Sequence, residues 1–164
     1  MTIINGLPAH ALLVHFVVVL VPLTALLEIV CGLLPAARRG HLLWLTLILA
    51  AGTMALTPIT INAGGWLYDL RGANASPILQ RHAELGSEMN YFSGALLAVA
   101  IVLVVYRLAE RRFGNSHIIA NILVAILVLA VGISSIIQIY RVGDAGAQSV
   151  WGSEIAHLKK TPTG

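Results

Sequence analysis

Four long runs of apolar residues constrain the fold more than any other feature of the sequence. They cover residues 9–34, 42–61, 91–106 and 118–140, and a helix needs about 20 apolar residues to cross a bilayer. A helix satisfies its backbone hydrogen bonds internally, whereas an open sheet in lipid does not. The sequence therefore predicts an all-α, integral membrane four-helix bundle that forms a single domain over residues 1–164.

The composition excludes most other classes of protein. Of the 164 residues, 58% are hydrophobic and only 10% are charged, whereas soluble domains are about 25% charged. The sequence contains no phosphate-binding loop, dinucleotide fingerprint or nucleophile elbow, and no basic run long enough for nucleic acid. We therefore expect membrane lipid as a partner, no nucleic acid, and no enzyme activity from this chain on its own. Association with further copies through small residues of the last two spans stays open.

The distribution of Lys and Arg predicts the orientation in the membrane. Two short connections on one side carry five arginines, namely Arg38, Arg39, Arg107, Arg111 and Arg112. The opposite side also carries five basic residues, but over longer segments in which acidic residues balance them. Because short basic loops face the cytoplasm, we expect both termini on the outer side.

The residues after the last span predict a surface element on that outer side. Residues 145–160 carry apolar side chains at helical spacing, which indicates an amphipathic segment that lies on the outer membrane interface or caps the bundle. Trp66, Trp151 and His157 are expected at the same interface.

The two halves of the chain resemble each other weakly. Each half has a histidine before its first span, in "AHALLVHF" and "RHAELGSEMNYF". Each half also has a glycine-rich, Trp-bearing segment after its second span, in "NAGGWLYDLRG" and "DAGAQSVWG". Two related helical hairpins side by side would give this pattern, and they would bring His10 and His82 to equivalent positions.

The histidines of the outer side allow three interpretations. His10 or His15 from the first span and His82 before the third span are the natural pair of axial ligands for a haem b in a helical bundle. A small metal site would join His10, His82 or His157 to a carboxylate of Asp69, Glu88 or Asp144, although no local ligand spacing supports it. Histidines at an interface that bond carbonyls or headgroups are the third interpretation.

Several polar residues lie within the apolar spans. Glu28 is deep in the first span, where an unpaired charge is costly, so we expect it to face the bundle interior with Asn121 or His41 as partner. Gln138 is expected to find a side-chain partner near the outer end of the fourth span. Thr46, Thr53, Thr57 and Thr60 share one face of the second span, which favours close helix packing over a polar path.

The stretches "INGLPAHALLVHFVVVLVPLTALLEI", "AGGWLYDLRG", "RHAELG" and "GDAGAQSVWG" resemble a family of bacterial four-helix membrane proteins of unknown function, whose members open with text like "GHPxHPxLVHFP". The resemblance covers nearly the whole chain, and it marks His10, His15, Pro22, Glu28, Gly65, His82, Gly146 and Trp151. The chain departs from the motif at Ala9, Ala11, Val17 and Val18, where prolines are common. The resemblance implies the bacterial cytoplasmic membrane and a setting beside respiratory or other redox membrane proteins.

These observations predict a small, redox-associated membrane subunit that binds haem b near the outer face through its histidines and serves electron transfer. The alternatives are a cofactor-free accessory or scaffold subunit of a membrane complex, and a small transporter that uses Glu28 and the threonine face.

Overall fold

The computed structural model describes residues 3–4, 7–70, 76–114 and 118–160, and it leaves out the side chains of residues 3, 4, 7, 153, 154 and 156–160. A two-residue antiparallel pairing of β1 (Ile3–Ile4) with β2 (Leu7–Pro8) precedes the helices. The helices are α1 (Ala9–Leu33), α2 (Pro35–Arg39), α3 (Leu42–Asp69), α4 (Pro77–Phe113) and α5 (Ile118–Lys160).

Within this part of the chain, α1, α3, α4 and α5 are long and apolar enough to cross a membrane. The prediction of an all-α four-helix membrane bundle is confirmed. Pro35 stops α1 and starts α2, since a proline cannot continue a helix but suits its first turn. The Ser76 hydroxyl caps the start of α4, and Gly114 ends α4 with a positive φ of 70°.

The segment over residues 145–160 is a continuation of α5 and does not form a separate helix. No proline lies between Ile118 and Lys160, so the helix runs on for a total of 43 residues, about 65 Å at about 1.5 Å per residue. This length is about twice the hydrocarbon thickness of a bilayer. Val142 and Ala145 pack there against Leu85 of α4, so the extended parts of α4 and α5 support each other.

The four long helices form a ring in the order α1, α3, α4, α5. Each of α1 and α4 packs mainly against α3 and α5, so α1 and α4 lie on one diagonal of the bundle. The start of α1, the end of α3 and the start of α4 share one end, which we call the His end. The opposite end, with α2 and the end of α4, is called the Arg end.

Glycines bring α1 and α5 close together. A Cβ on Gly32 of α1 would lie 2.5 Å from a methyl of Val128, and one on Gly132 of α5 would lie 2.9 Å from the Ile29 Cδ1. Such small residues allow helices to pack closely in lipid. Large apolar side chains, including Phe16, Val19, Ile48, Val105 and Leu123, point outward, as is typical of a lipid-facing surface.

Candidate functional site

His10 lies in the first turn of α1 and is held by α3. Its Nδ1 is 3.0 Å from the carbonyl oxygen of Thr60. Gly64, one turn further along α3, leaves room for the imidazole, since a Cβ there would lie 2.8 Å from the ring. A carbonyl oxygen only accepts hydrogen bonds, so Nδ1 carries the proton, and Nε2 of a neutral ring keeps its lone pair.

His82 lies in the second turn of α4 and is held by α5 in the same way. Its Nδ1–H donates to the carbonyl oxygen of Val142 at 3.0 Å. Gly146 comes four residues later, as Gly64 does after Thr60, and a Cβ on Gly146 would lie 3.0 Å from Cε1 of His82.

The two halves of the molecule therefore repeat one arrangement. In each hairpin a histidine near the start of the first long helix donates to a carbonyl of the second, and a glycine four residues after that carbonyl lies against the ring. The glycine-rich segments of the two halves were the sequence pattern that indicated this repeat. The tryptophans do not repeat: Trp66 follows Gly64 by two residues and Trp151 follows Gly146 by five. Trp66 is half-buried and Trp151 is exposed.

His10 and His82 meet across the diagonal of the bundle. Their ring centroids are 6.3 Å apart and the ring planes are inclined by 78°. Both residues are partly buried. Among the described residues, neither ring has a hydrogen-bond partner for its Nε2 atom.

The other histidines expected at this site do not join the pair where the structure describes them. His15 is exposed and its Nδ1–H donates to the Ala11 carbonyl of its own helix at 2.5 Å. The side chain of His157 lies outside the described residues.

Carboxylates do not complete a metal site in the described part of the chain. Glu88 accepts a hydrogen bond from Nε2 of Gln138 at 3.0 Å, and Asp144 accepts one from Gln148 at 2.8 Å. In the ranges that the structure describes, no group of three or more His, Cys, Asp or Glu residues converges on one point. Gln138 is almost fully buried and also donates to the Leu85 carbonyl, so it finds the side-chain partner expected for it in Glu88.

Glu28 is fully buried, with an exposure of 0%. Neither carboxyl oxygen has a hydrogen-bond partner among the described residues. The expectation that Asn121 pairs with Glu28 is wrong. Asn121 Oδ1 accepts from Arg38 and from the Tyr106 hydroxyl, both at 3.0 Å. The buried Arg38 guanidinium donates to the amide oxygen of Asn121, a contact that the sequence alone did not indicate. His41, the other expected partner, is exposed.

The threonine face of α3 lies against α1 and forms a polar seam with it. Each of the four threonine hydroxyls donates to the carbonyl four residues earlier at 2.8 Å, so its oxygen remains an acceptor. Thr24 and Cys31 of α1 contact Thr53 and Thr46 at 3.3 and 3.7 Å. Glu28 lies between Thr24 and Cys31 on the same helix face. The threonine face therefore extends along α3 from Thr60, which holds His10, past the level of Glu28.

Arg38, which the sequence predicts only as part of a basic cytoplasmic connection, is buried. Its exposure is 0%, and its Nη2 lies 2.9 Å from Oε1 of Glu110. It also donates to the carbonyls of Cys31 and Gly32 and lies 4.7 Å from the Tyr106 ring centroid. Arg38 therefore joins α1, α2, α4 and α5 at the Arg end.

Comparisons with known proteins bring no further assignment. No family model matches the chain, no curated protein matches it, and no solved structure matches its fold. The family resemblance of the sequence stays a prediction.

Proposed function

We propose that the chain is a redox-associated membrane subunit that binds haem b, with His10 and His82 as the two axial ligands. The observation that carries this proposal is the pair of carbonyl-anchored imidazoles from α1 and α4, whose ring centroids lie 6.3 Å apart with the ring planes inclined by 78°.

Two imidazoles whose Nε2 atoms have no hydrogen-bond partner among the described residues would be suitable ligands for the iron of a haem. Metal–imidazole bonds are about 2.0–2.1 Å long, so two imidazoles on opposite sides of one ion have centroids about 6 to 6.5 Å apart. Histidines that bind metals donate their second ring N–H to a carbonyl or carboxylate, which fixes the tautomer and ring orientation. Both histidines have that hydrogen bond.

A porphyrin also needs lateral space around the pair. His10 and His82 line neither the cleft beside Arg81 and Arg141 nor the cleft beside Arg39 and Arg111. Because the two rings also pack tightly against Gly64 and Gly146, haem uptake would require the side chains and helices around them to move apart. We therefore expect haem binding to be accompanied by a measurable structural change.

The haem would supply one-electron exchange between ferric and ferrous iron. The chain's own residues orient the ligands: the carbonyls of Thr60 and Val142 hold the Nδ1 protons and raise the basicity of both imidazoles. The His end is the outer face if the short arginine-rich connections are cytoplasmic. A partner that exchanges electrons there would be a redox membrane protein of the bacterial cytoplasmic membrane.

Titration of haem into the purified protein in nanodiscs tests the proposal. The wild type is expected to bind one haem per chain with a low-spin spectrum. His10→Ala and His82→Ala are expected to abolish that spectrum, whereas His15→Ala, which removes an exposed histidine of the same helix, leaves it intact. Equal binding by all four proteins would contradict the assignment.

A second candidate function, proton transfer across the membrane, is favoured by Glu28 and the polar seam. Neither an ion pair nor a hydrogen bond of the described residues involves this buried carboxyl. A carboxyl at such depth without a counter-ion holds a proton more readily than a charge. The hydroxyl oxygens of Thr53, Thr57 and Thr60 follow along α3 toward His10.

Proteoliposomes that contain a pH-sensitive dye test this second candidate. Under an imposed membrane potential, Glu28→Gln is expected to lose the proton flux of the wild type. Glu84→Gln, which neutralises an exposed acid of α4, is expected to keep it. Flux no greater than that of empty liposomes would rule out proton transfer and leave the haem proposal untouched.

A further inference from the structure

A small cleft opens at the Arg end between the α2–α3 corner and α4. Arg39, Arg107 and Arg111 line it, with the buried Arg38 at its base. Trp44 and Leu108 form its apolar part. The haem proposal uses none of these residues.

The cleft has an excess of positive charge. Glu110 is the acid beside it, and this carboxylate is occupied by Arg38 at 2.9 Å and approached by Arg107 at 3.7 Å. Four guanidinium groups against one carboxylate leave a local charge of +3 (4 − 1). Arg39 and Arg111 are exposed and have no ion pair within the described parts of the chain.

The charged mouth continues into a lipid-facing surface. Trp44 and Leu108 are each 50% exposed. Ile48, one turn deeper than Trp44 on α3, is 67% exposed, and Val105 on α4 is 59% exposed. The surface therefore changes from cationic at Arg39 and Arg111 to apolar at Ile48 and Val105, which is the order in which a lipid presents its headgroup and its acyl chain.

We propose that this cleft binds an anionic phospholipid, with its phosphate at Arg39 and Arg111 and an acyl chain along Trp44 and Leu108. Guanidinium groups bind phosphate oxygens in paired hydrogen bonds. The excess of positive charge disfavours headgroups that carry an ammonium group of their own. Basic pockets between membrane helices are typical sites for anionic headgroups.

Quenching of Trp44 fluorescence by brominated lipid tests the proposal. The chain has three tryptophans, so Trp66→Phe and Trp151→Phe leave Trp44 as the sole reporter. Nanodiscs of phosphatidylcholine receive a small fraction of brominated phosphatidylglycerol or, in parallel, of brominated phosphatidylcholine. Stronger quenching by the anionic lipid is expected.

Charge-matched variants distinguish a site from general attraction. Arg39→Gln together with Arg111→Gln is expected to lower quenching by phosphatidylglycerol to the level of phosphatidylcholine. Arg112→Gln with Arg141→Gln removes two charges outside the cleft and is expected to keep the preference. Equal quenching by both lipids in the parent protein, or equal loss in both double variants, would overturn the proposal.

A free phosphate ion is the other source of the same chemistry. Excess inorganic phosphate is expected to leave the preference unchanged, because the acyl chain contributes to binding and holds the headgroup in place. Its displacement of the lipid at equal ionic strength would show that the cleft takes a phosphate ion and would overturn the assignment to a lipid.

Discussion

The imidazoles of His10 and His82 lie 6.3 Å apart between centroids although 72 residues separate them in the chain. Neither ring is placed by its own helix alone. α3 fixes His10 through the Thr60 carbonyl, and α5 fixes His82 through the Val142 carbonyl. All four long helices therefore contribute to the geometry of the pair.

The glycines beside these rings are expected to be intolerant of a methyl group. Gly64→Ala and Gly146→Ala would place a Cβ at 2.8 and 3.0 Å from an imidazole, and such overpacking costs about 1–3 kcal/mol. We expect a lower midpoint of thermal unfolding in detergent for each. Gly65→Ala, with no atom within 4 Å of its added Cβ, is the control and is expected to be neutral or stabilising. Equal effects at Gly64 and Gly65 would contradict the described packing.

Removal of Arg38 is expected to destabilise the bundle strongly. Arg38→Ala leaves the Glu110 carboxylate, with its side chain 4% exposed, without its main partner. Breaking a buried pair from one side costs about 3–5 kcal/mol. Arg39→Ala, an exposed neighbour, is expected to stay within about 0.5 kcal/mol of the wild type.

A double variant separates the ion pair from simple loss of packing. Arg38→Met with Glu110→Leu removes both charges, so we expect it to be more stable than Arg38→Ala alone in a denaturant titration. A double variant that is less stable than the single one would show that the pair is not the main role of Arg38.

Replacement of Glu28 by an apolar residue is expected to be tolerated. Both carboxyl oxygens are buried without partners among the described residues, so Glu28→Met removes an unsatisfied polar group and roughly preserves volume. We expect unchanged or increased thermal stability for Glu28→Met. Thr53→Val, a polar-to-apolar change in the same seam, is the matched control. A large loss of stability for Glu28→Met alone would indicate that the carboxyl holds the fold together.

The close approach of α1 and α5 is expected to depend on Gly32 and Gly132. A Cβ at Gly32 would lie 2.5 Å from Val128, while Gly52 on α3 has nothing within 4 Å. Gly32→Ala is expected to lower the unfolding midpoint and Gly52→Ala is not. A second change, Val128→Ala, is expected to restore part of the loss because it removes the clashing methyl groups.

Local patterns predicted the fold well. An apolar run of bilayer length is sufficient to indicate a spanning helix, and the absence of proline between Tyr140 and Lys160 is consistent with the unbroken α5. The expectation for His10 and His82 followed from their place before the first span of each half. The sequence left His10 and His15 as alternatives. In the structure His10 bonds to a carbonyl of α3, whereas His15 bonds to a carbonyl of its own helix.

The polar partners were harder to predict because two of them are backbone atoms. The carbonyls of Thr60 and Val142 have no signature in the sequence. The partner of Asn121 was missed because Arg38, five residues beyond the end of α1, folds back into the bundle. Its burial depends on the acid of Glu110 on α4, which is distant in sequence.

The central claim is that His10 and His82 bind haem iron, and an optical spectrum tests it most directly. The full-length protein is purified in detergent from cells that make haem, and its spectrum is recorded oxidised and after reduction with dithionite. We predict the sharp reduced α-band of a low-spin b haem, lost in His82→Ala and retained in His15→Ala. A featureless spectrum, with no uptake of added haem, would contradict the claim.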